Sequence, residues 1–289
     1  MNRNAVIAAI LLLPGCSQLD SLLYQPQTTP QRWCDTMPCV AVFSTGIILN
    51  QPLSSFLVYF LGVMWFWASW RFWRIKSRGA SARWWAITMG LGGLAAISAG
   101  TSYQAFPYEI KCDGRVLCVW TSWWEIAYLL LQNGSMNAML IAVAYTCAAG
   151  TTQRRLIRFS SINFAVYFCV LAAGAYLPNK LMISFEMLVV FAVPAFLVYF
   201  YLNGLGYFRH RSAKDGVLLG AWILMVLANA LYYAYYLLGY TEILWNNGYW
   251  FSANDVLHVL MLVWVIYLGT AVVKVVGKAT PAQSASNPG

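Results

Sequence analysis

The chain has 289 residues, of which 61% are hydrophobic and only 9% are charged. Soluble domains average about 45–50% apolar and about 25% charged residues, so this composition excludes an ordinary soluble protein. The net charge of +9 is divided among short clusters between apolar stretches, which argues against a nucleic-acid partner. The sequence therefore predicts an integral membrane protein without a sizeable soluble domain.

The first residues have the features of an export signal. Arg3 precedes an apolar run over residues 5–13, which is too short to cross a bilayer and is typical of a secretory signal peptide. The Leu-x-Gly-Cys ending at Cys16 resembles the lipobox of bacterial lipoproteins, and the resemblance implies that Cys16 is acylated as the first mature residue. An uncleaved leader, with no role for the cysteine, is the alternative. We predict a signal peptide over residues 1–15 and a periplasmic segment over residues 16–51.

Strongly apolar stretches follow, each close to the length of about 20 residues that a helix needs to cross the hydrocarbon. There are seven, at residues 53–73, 84–105, 123–148, 161–178, 182–203, 216–239 and 253–274. The sequence therefore predicts an all-α, polytopic bundle of seven transmembrane helices over residues 52–277. A disordered cytoplasmic tail, rich in Ser, Pro and Ala, is predicted over residues 278–289.

Basic residues occupy alternate links, which sets the orientation of the bundle. They are Arg71, Arg74, Lys76, Arg78 and Arg83, then Arg154, Arg155 and Arg158, then Arg209, Arg211 and Lys214, and finally Lys274 and Lys278. Cytoplasmic loops are enriched in Lys and Arg, so this pattern predicts an outer N-terminus and a cytoplasmic C-terminus. The expected location is the bacterial cytoplasmic (inner) membrane, with anionic lipid headgroups beside the basic links.

The cysteines divide by predicted location. Cys34, Cys39, Cys112 and Cys118 fall outside the membrane, in an oxidising compartment, where disulfides are expected. Four cysteines allow three pairings, and a metal cluster built from two Cys pairs is the alternative. Cys147 and Cys169 fall within predicted helices and are expected to be small buried apolar groups.

Polar side chains collect at the outer ends of three predicted helices. Ser102 and Gln104 end the second helix, and Glu125 begins the third, followed along one helical face by Tyr128, Gln132 and Ser135. Asp255 and His258 lie in the first turns of the seventh helix. An ionisable group at membrane depth marks a candidate functional site.

This arrangement resembles the superfamily of seven-helix membrane hydrolases that includes alkaline ceramidases and adiponectin-receptor-type proteins. The matching features are the small–Ser/Thr–aromatic–polar ending of the second helix, the carboxylate heading the third, and the Asn-x-x-x-His motif from Asn254 to His258. In hydrolytic members, histidines and an aspartate hold zinc and its water for amide hydrolysis. This chain has Gln104 and Asn254 where that family has histidines, which excludes a three-histidine site.

The resemblance implies that Glu125, Asp255 and His258 hold zinc or another divalent ion. Ser102 and Gln104 would then stabilise the oxyanion of a lipid-like amide or ester. The alternative is a non-catalytic relative that binds a lipid or a periplasmic protein partner, as a receptor or accessory subunit. For single residues, Glu125 could instead close a capping box with Ser122, Asp255 could cap its helix, and His258 could bond Gln104 or Glu125 between helices.

Overall fold

The computed structural model describes residues 18–35, 37–42 and 46–277. The predicted signal peptide, the predicted lipidation site Cys16 and the predicted tail lie outside the described residues. Helices make up most of the described chain, and the one small sheet lies before the first long helix.

The helices are α1 (Pro52–Trp73), α2 (Ala80–Ala99), α3 (Pro107–Lys111), α4 (Trp123–Cys147), α5 (Gly150–Tyr176), α6 (Phe185–His210), α7 (Ala213–Leu237), α8 (Tyr240–Asn246), α9 (Ala253–Tyr267) and α10 (Val273–Val276). A π-helical segment, Gly100–Ala105, extends α2, and a second, Leu268–Val272, joins α9 to α10. Short 3-10 helices lie at Pro30–Asp35 and Lys76–Arg78. Strands β1 (Cys39–Ala41) and β2 (Ile48–Asn50) pair antiparallel, with Cys39 opposite Asn50.

The all-α class is confirmed, and six helices in the described chain are long and apolar enough to cross a membrane. They are α1, α4, α5, α6, α7 and the continuous run Ala253–Val276. Helix α2, the predicted second span, is absent from that set. It packs closely between α1 and α4, and a Cβ on Gly92 would meet the Trp65 ring at 2.5 Å. Small, weakly apolar residues suit α2 because protein rather than solvent or lipid surrounds much of it.

Two predicted helix boundaries are wrong. Helix α5 begins at Gly150 rather than at residue 161, so Arg154, Arg155 and Arg158 lie in its first turns instead of in a loop. Helix α6 continues to His210, beyond the end of the span predicted over residues 182–203. Arginine is a good helix former and extending a formed helix is favourable, so both helices continue beyond their apolar parts.

The basic links meet at one end of the bundle, which we call the basic end. Arg78 Nη1 donates to the Gly277 carbonyl at 2.6 Å, and Lys214 Nζ donates to the Thr146 carbonyl at 2.7 Å. The opposite end, which we call the disulfide end, holds the bridges Cys34–Cys39 and Cys112–Cys118. The expectation of disulfides among these four cysteines is confirmed. The expectation for Cys169 is wrong, because that side chain is exposed on α5.

Four aromatic rings stack across the core of the bundle, near the basic end. Trp222 of α7 lies 4.4 Å from the Tyr199 ring and 6.4 Å from the Trp85 ring, and Trp85 lies 5.4 Å from the Phe72 ring. All four are buried. They come from α1, α2, α6 and α7, so one contiguous stack joins four helices of the bundle.

A buried hydrogen-bonded chain runs from this stack to the basic end. Trp222 Nε1 donates to Asn203 Oδ1 at 2.7 Å, and Asn203 Nδ2 donates to Asp215 Oδ1 at 3.0 Å. Asp215 also lies in the first turn of α7, where its backbone N–H is capped by Ser212. Trp222, Asn203 and Asp215 are therefore joined by hydrogen bonds in a region where an unpaired polar group is costly.

Substitution of Trp222 tests this stack. We expect Trp222→Ala to lower the free energy of unfolding by about 3–5 kcal/mol, because it leaves a large cavity. Trp222→Phe should cost about 1–3 kcal/mol, because Asn203 Oδ1 loses its buried donor. Thermal and denaturant unfolding in detergent would measure both. The neighbouring exposed Ile223 provides the control, since Ile223→Ala should stay within about 0.5 kcal/mol of the native chain.

Candidate functional site

A buried ion pair between Lys111 and Glu125 lies near the disulfide end of the bundle. Both side chains are at least 97% buried. Lys111 ends the short helix α3, and Glu125 lies in the first turn of α4. A buried charge needs a charged or strongly hydrogen-bonding partner, so each of these residues depends on the other.

Hydroxyl groups complete the surroundings of the Glu125 carboxylate. Ser102 Oγ lies 2.7 Å from Glu125 Oε1 and donates to it. Ser102 Oγ is also 2.9 Å from Ser122 Oγ. Ser102 belongs to the π-helical extension of α2, and π-helical turns are frequent at functional sites. The structure therefore brings together Ser102 and Glu125, two of the predicted site residues.

The ammonium group of Lys111 is held by segments near the disulfide end. Its Nζ donates to Tyr24 OH at 3.2 Å and to the Trp120 carbonyl at 3.3 Å. It also lies 5.0 Å from the centre of the Tyr103 ring. Burial opposes the charge, but Glu125 and Tyr24 together outweigh that effect and raise the pKa of Lys111 above its ordinary value. The lysine is therefore a cation at neutral pH.

The capping box predicted for Ser122 and Glu125 is wrong. Ser122 is the N-cap of α4, but its side chain makes no capping hydrogen bond. Glu125 turns instead toward Lys111 and Ser102. The ion pair replaces the capping box because a charge-assisted hydrogen bond to a buried ammonium group is stronger than a hydrogen bond from one backbone N–H.

The capping alternative for Asp255 is confirmed. Ser252 Oγ accepts from the backbone N–H of Asp255 at 3.3 Å, and Asp255 Oδ2 accepts from the backbone N–H of Ser252 at 2.6 Å. Together they form the complete capping box of α9. Among the described residues, Oδ1 of this buried carboxylate has no hydrogen-bond partner.

His258 faces a cavity of about 550 Å³ inside the bundle. The side chain is 91% buried, and within the described chain its Nδ1 has no hydrogen-bond partner. The predicted bond from His258 to Gln104 or Glu125 is therefore not formed through this atom. The amide oxygen of Gln104 is likewise buried without a partner among the described residues. A buried unpaired polar atom costs about 1–3 kcal/mol, so His258 is a candidate ligand-contacting residue.

The walls of this cavity come from six helices. The polar side chains that line it are all uncharged. Besides Tyr199, Trp222 and Trp264, they are Tyr128, Gln132, Ser135, Asn229 and His258. Tyr128, Gln132 and Ser135, which were predicted to follow Glu125 along one face of α4, line the cavity, whereas Glu125 does not. Trp222, Tyr199 and Trp264 lie among the aromatic residues that line it. Its volume lies within the range of about 300–1,000 Å³ that is typical of ligand pockets.

The cavity opens sideways between α6 and α7. Its exposed lining residues all come from these two helices: Phe185, Val189 and Val193 of α6, and Val226 and Ala230 of α7. Lining residues from α1, α2, α4 and α9 are buried or half-buried. The opening therefore lies on the apolar outer surface of the bundle.

The predicted site residues thus fall into two groups. Ser102 and Glu125 lie in the ion-pair cluster, where Lys111 and Tyr24 join them. Asp255 caps α9, and His258 lines the cavity. No group of three His, Cys, Asp or Glu side chains within the described ranges could hold a metal ion. Glu125 in addition already has an ammonium partner, so the donor set predicted for zinc does not fit this arrangement.

Sequence reasoning missed Lys111 and Tyr24. The available signal was a lysine beside a cysteine on the predicted outer side, where most charged residues are acidic. No local spacing links it to Glu125, because the contact depends on the path of the chain between α3 and α4.

Comparisons with known proteins matched no family model, no curated protein and no solved structure.

The ion pair can be tested with single and double substitutions. Glu125→Gln and Lys111→Met should each lower the free energy of unfolding by about 3–5 kcal/mol, because each leaves one buried charge uncompensated. The double variant should lose less than the sum of the two, since no unpaired charge remains. Asp20→Asn, which breaks the exposed pair with Arg115, is the control and should cost at most about 1 kcal/mol.

The same pair predicts how stability responds to alkaline pH. Because the folded state raises the pKa of Lys111 above its ordinary value of 10.5, its contribution is complete at lower pH. It is lost only as pH rises through that raised pKa. Unfolding followed from pH 9 to 12 should show this loss, which begins above the ordinary value of 10.5, in the native chain and not in the double variant. An equal alkaline loss in both would contradict the assignment.

Proposed function

We propose that the chain forms a bundle of seven transmembrane helices with an outer N-terminus and a cytoplasmic C-terminus. Six helices meet the length and hydropathy expected of a span. We add α2 as the seventh because it packs along α1 and α4 and has 20 residues before its π-helical extension. The basic residues at one end and the disulfides at the other support this orientation.

Reporter fusions test this topology. Alkaline phosphatase, which is active only after export, should be inactive when fused after Gly79 and active when fused after Asp113. The two positions flank α2, so equal activity at both would contradict its role as a span. A fusion after Arg211 should be inactive and one after Asn247 active, if the proposed orientation is correct.

We further propose that the protein binds a lipid-like amphiphile in the cavity that opens between α6 and α7. The observation that supports this function is His258, whose Nδ1 is buried beside the cavity and unpartnered among the described residues. A hydroxyl, carbonyl or amide group of a ligand would supply the missing hydrogen bond. The apolar walls would receive the hydrocarbon part of the same molecule.

The polar part of the ligand should be uncharged. Neutral side chains line the cavity, and no Lys, Arg, Asp or Glu is among its lining residues in the described chain. An anionic headgroup would lose its hydration there without gaining a cation, which is strongly unfavourable. A neutral head on an apolar chain fits the cavity, and its lateral opening gives direct access from the hydrocarbon.

Metal-dependent hydrolysis of a lipid amide or ester stays a prediction from the resemblance. The geometry gives it less support, because Glu125 is paired with Lys111 and lies in a different group from His258. A periplasmic protein partner likewise stays a prediction. The binding function requires neither, and we therefore place it first.

Ligand-dependent stability of the detergent-purified protein tests the binding function. A long-chain alcohol at a hundred times its Kd should raise the free energy of unfolding by about 2.7 kcal/mol. An alkyl phosphate with the same chain should give little or no increase, because its charge has no partner in the cavity. His258→Phe keeps a ring of similar size and should weaken binding of the alcohol by about 1 kcal/mol, or about fivefold.

A matched pair of variants tests the lateral opening of the cavity. Val226 lines the cavity, and Leu227 does not, although the two are 49% and 51% exposed. Val226→Trp should abolish the stabilisation by the alcohol, and Leu227→Trp should retain it. Equal loss in both variants would contradict the proposed opening. No stabilisation of the native chain by the alcohol would overturn the binding function itself.

A further inference from the structure

The lining of the cavity changes along the axis of the bundle. Helix α9 runs toward the basic end, where the chain reaches Gly277 beside Arg78. Three successive turns of α9 contribute His258, Met261 and Trp264 to the cavity wall. Their spacing places them on one face of the helix. The imidazole therefore lies nearest the disulfide end, and the indole lies nearest the basic end.

Helix α7, which runs in the opposite direction, repeats this order. It begins at the basic end, and it contributes Trp222, then Met225, then Asn229 to the wall. On both helices, a methionine thus separates a polar side chain near the disulfide end from an indole. Met136 and Met139 of α4 also line the cavity. Methionine side chains are flexible and adapt to irregular apolar partners, so this layer suits a hydrocarbon chain.

Two pairs of aromatic rings close the cavity toward the basic end. The ring centres of Tyr199 and Trp222 lie 4.4 Å apart, and those of Trp65 and Trp264 lie 5.5 Å apart. All four side chains are buried and line the cavity. Trp85, which continues the stack beyond Trp222, does not line it. We call the four lining residues the aromatic floor.

The lateral opening does not reach the aromatic floor. Val193 is the last exposed lining residue of α6, and the lining residues of the next turns, Phe196 and Tyr199, are half-buried and buried. The part of the cavity next to the floor is therefore closed to the hydrocarbon. A chain in this part would gain contacts with walls that otherwise face a void.

The distance from His258 to the aromatic floor limits the length of a chain. From His258 to Trp264 the axis of α9 advances about 9 Å. An extended chain advances about 1.2 Å per bond, so about eight carbons cover this distance. Half of the hydrocarbon core of a bilayer is about 15 Å thick. The path inside the cavity is therefore shorter than an ordinary membrane acyl chain.

We propose that the cavity is selective for a single-chain amphiphile of about eight carbons, with its uncharged head beside His258 and its chain end at the aromatic floor. This inference rests on the proposed binding of a neutral amphiphile and adds the length and direction of its chain. The volume of about 550 Å³ is typical of pockets for drug-sized molecules. A single-chain amphiphile has that size, and a membrane lipid with two long chains exceeds it.

Two photoreactive primary alcohols with eight carbons test the proposal on the detergent-purified full chain. The tail probe has a diazirine at the end of its chain, and the head probe has it beside the hydroxyl group. After illumination and proteolysis, mass spectrometry should find the tail label at residues 261–264 and the head label at residues 257–258. Excess 1-octanol should remove both labels, which separates the cavity from the lipid-facing surface.

A tail probe of twice that length tests the aromatic floor. Its chain is longer than the path from His258, so its end should label the opening, at residues 185–193, rather than residues 261–264. Labelling of residues 261–264 by the ends of both the short and the long probe would contradict a floor at this depth.

Two substitutions in α9 form a matched pair. Met261 lines the cavity between His258 and Trp264, whereas the adjacent Leu262, which is also half-buried, does not. Met261→Trp places an indole in the path of the chain and should remove the tail label from Trp264, and Leu262→Trp should leave it in place. Thermal unfolding would check that both variants are folded, and the labels in the native chain test the proposal without them.

Failure of this inference is distinguishable from failure of the proposed function. If 1-octanol stabilises the protein but the tail label is confined to residues 185–193, or no label is removed by competition, the inference alone is overturned. A head label at residues 261–264 would overturn the direction of the chain. Absence of both stabilisation and competed labelling would overturn ligand binding in the cavity, and this inference with it.

Discussion

Water is absent from the hydrocarbon of a membrane, and this constraint determines how the whole chain is built. Backbone polar groups must pair within the segment, which favours long helices, and a buried charge needs a charged or hydrogen-bonding partner. Glu125 is the partner of Lys111 near the disulfide end, and Asn203, which also accepts from Trp222, is the partner of Asp215 near the basic end. Between them, several polar side chains face a cavity. This cavity is the place where the proposed ligand would bind.

The sequence predicted those features that depend on composition and short-range pattern. Long apolar stretches indicated the all-α class, four cysteines outside the predicted spans indicated the disulfides, and Ser252 with Asp255 indicated the helix cap. Helix ends were less predictable, because hydropathy marks the apolar part of a helix and not its termini. The arginines of α5 remain helical because their propensity favours it.

The candidate site was only partly predictable, for a physical reason. Ser122 and Glu125 have the spacing of a capping box, and so do Ser252 and Asp255, yet only the second pair forms one. The difference is Lys111, which the fold of α3 brings to Glu125. A spacing rule describes neighbours along a helix and contains no information about a cation from another element. The same limit hid Tyr24, whose contact with Lys111 depends on the path of the N-terminal segment.

The polar groups of the predicted site are better suited to hydrogen bonding than to holding a metal ion. Gln104 and Asn254 have amide side chains, which are poorer zinc ligands than imidazole, thiolate or carboxylate, and Glu125 at the head of α4 is paired with Lys111. Amide groups can still donate and accept hydrogen bonds. Within the described chain, Gln104, Asp255 and His258 each have a buried atom without a hydrogen-bond partner, in the π-helical extension of α2 and the first turns of α9. Such atoms lower stability, and a ligand that bonds His258 would recover part of that loss upon binding.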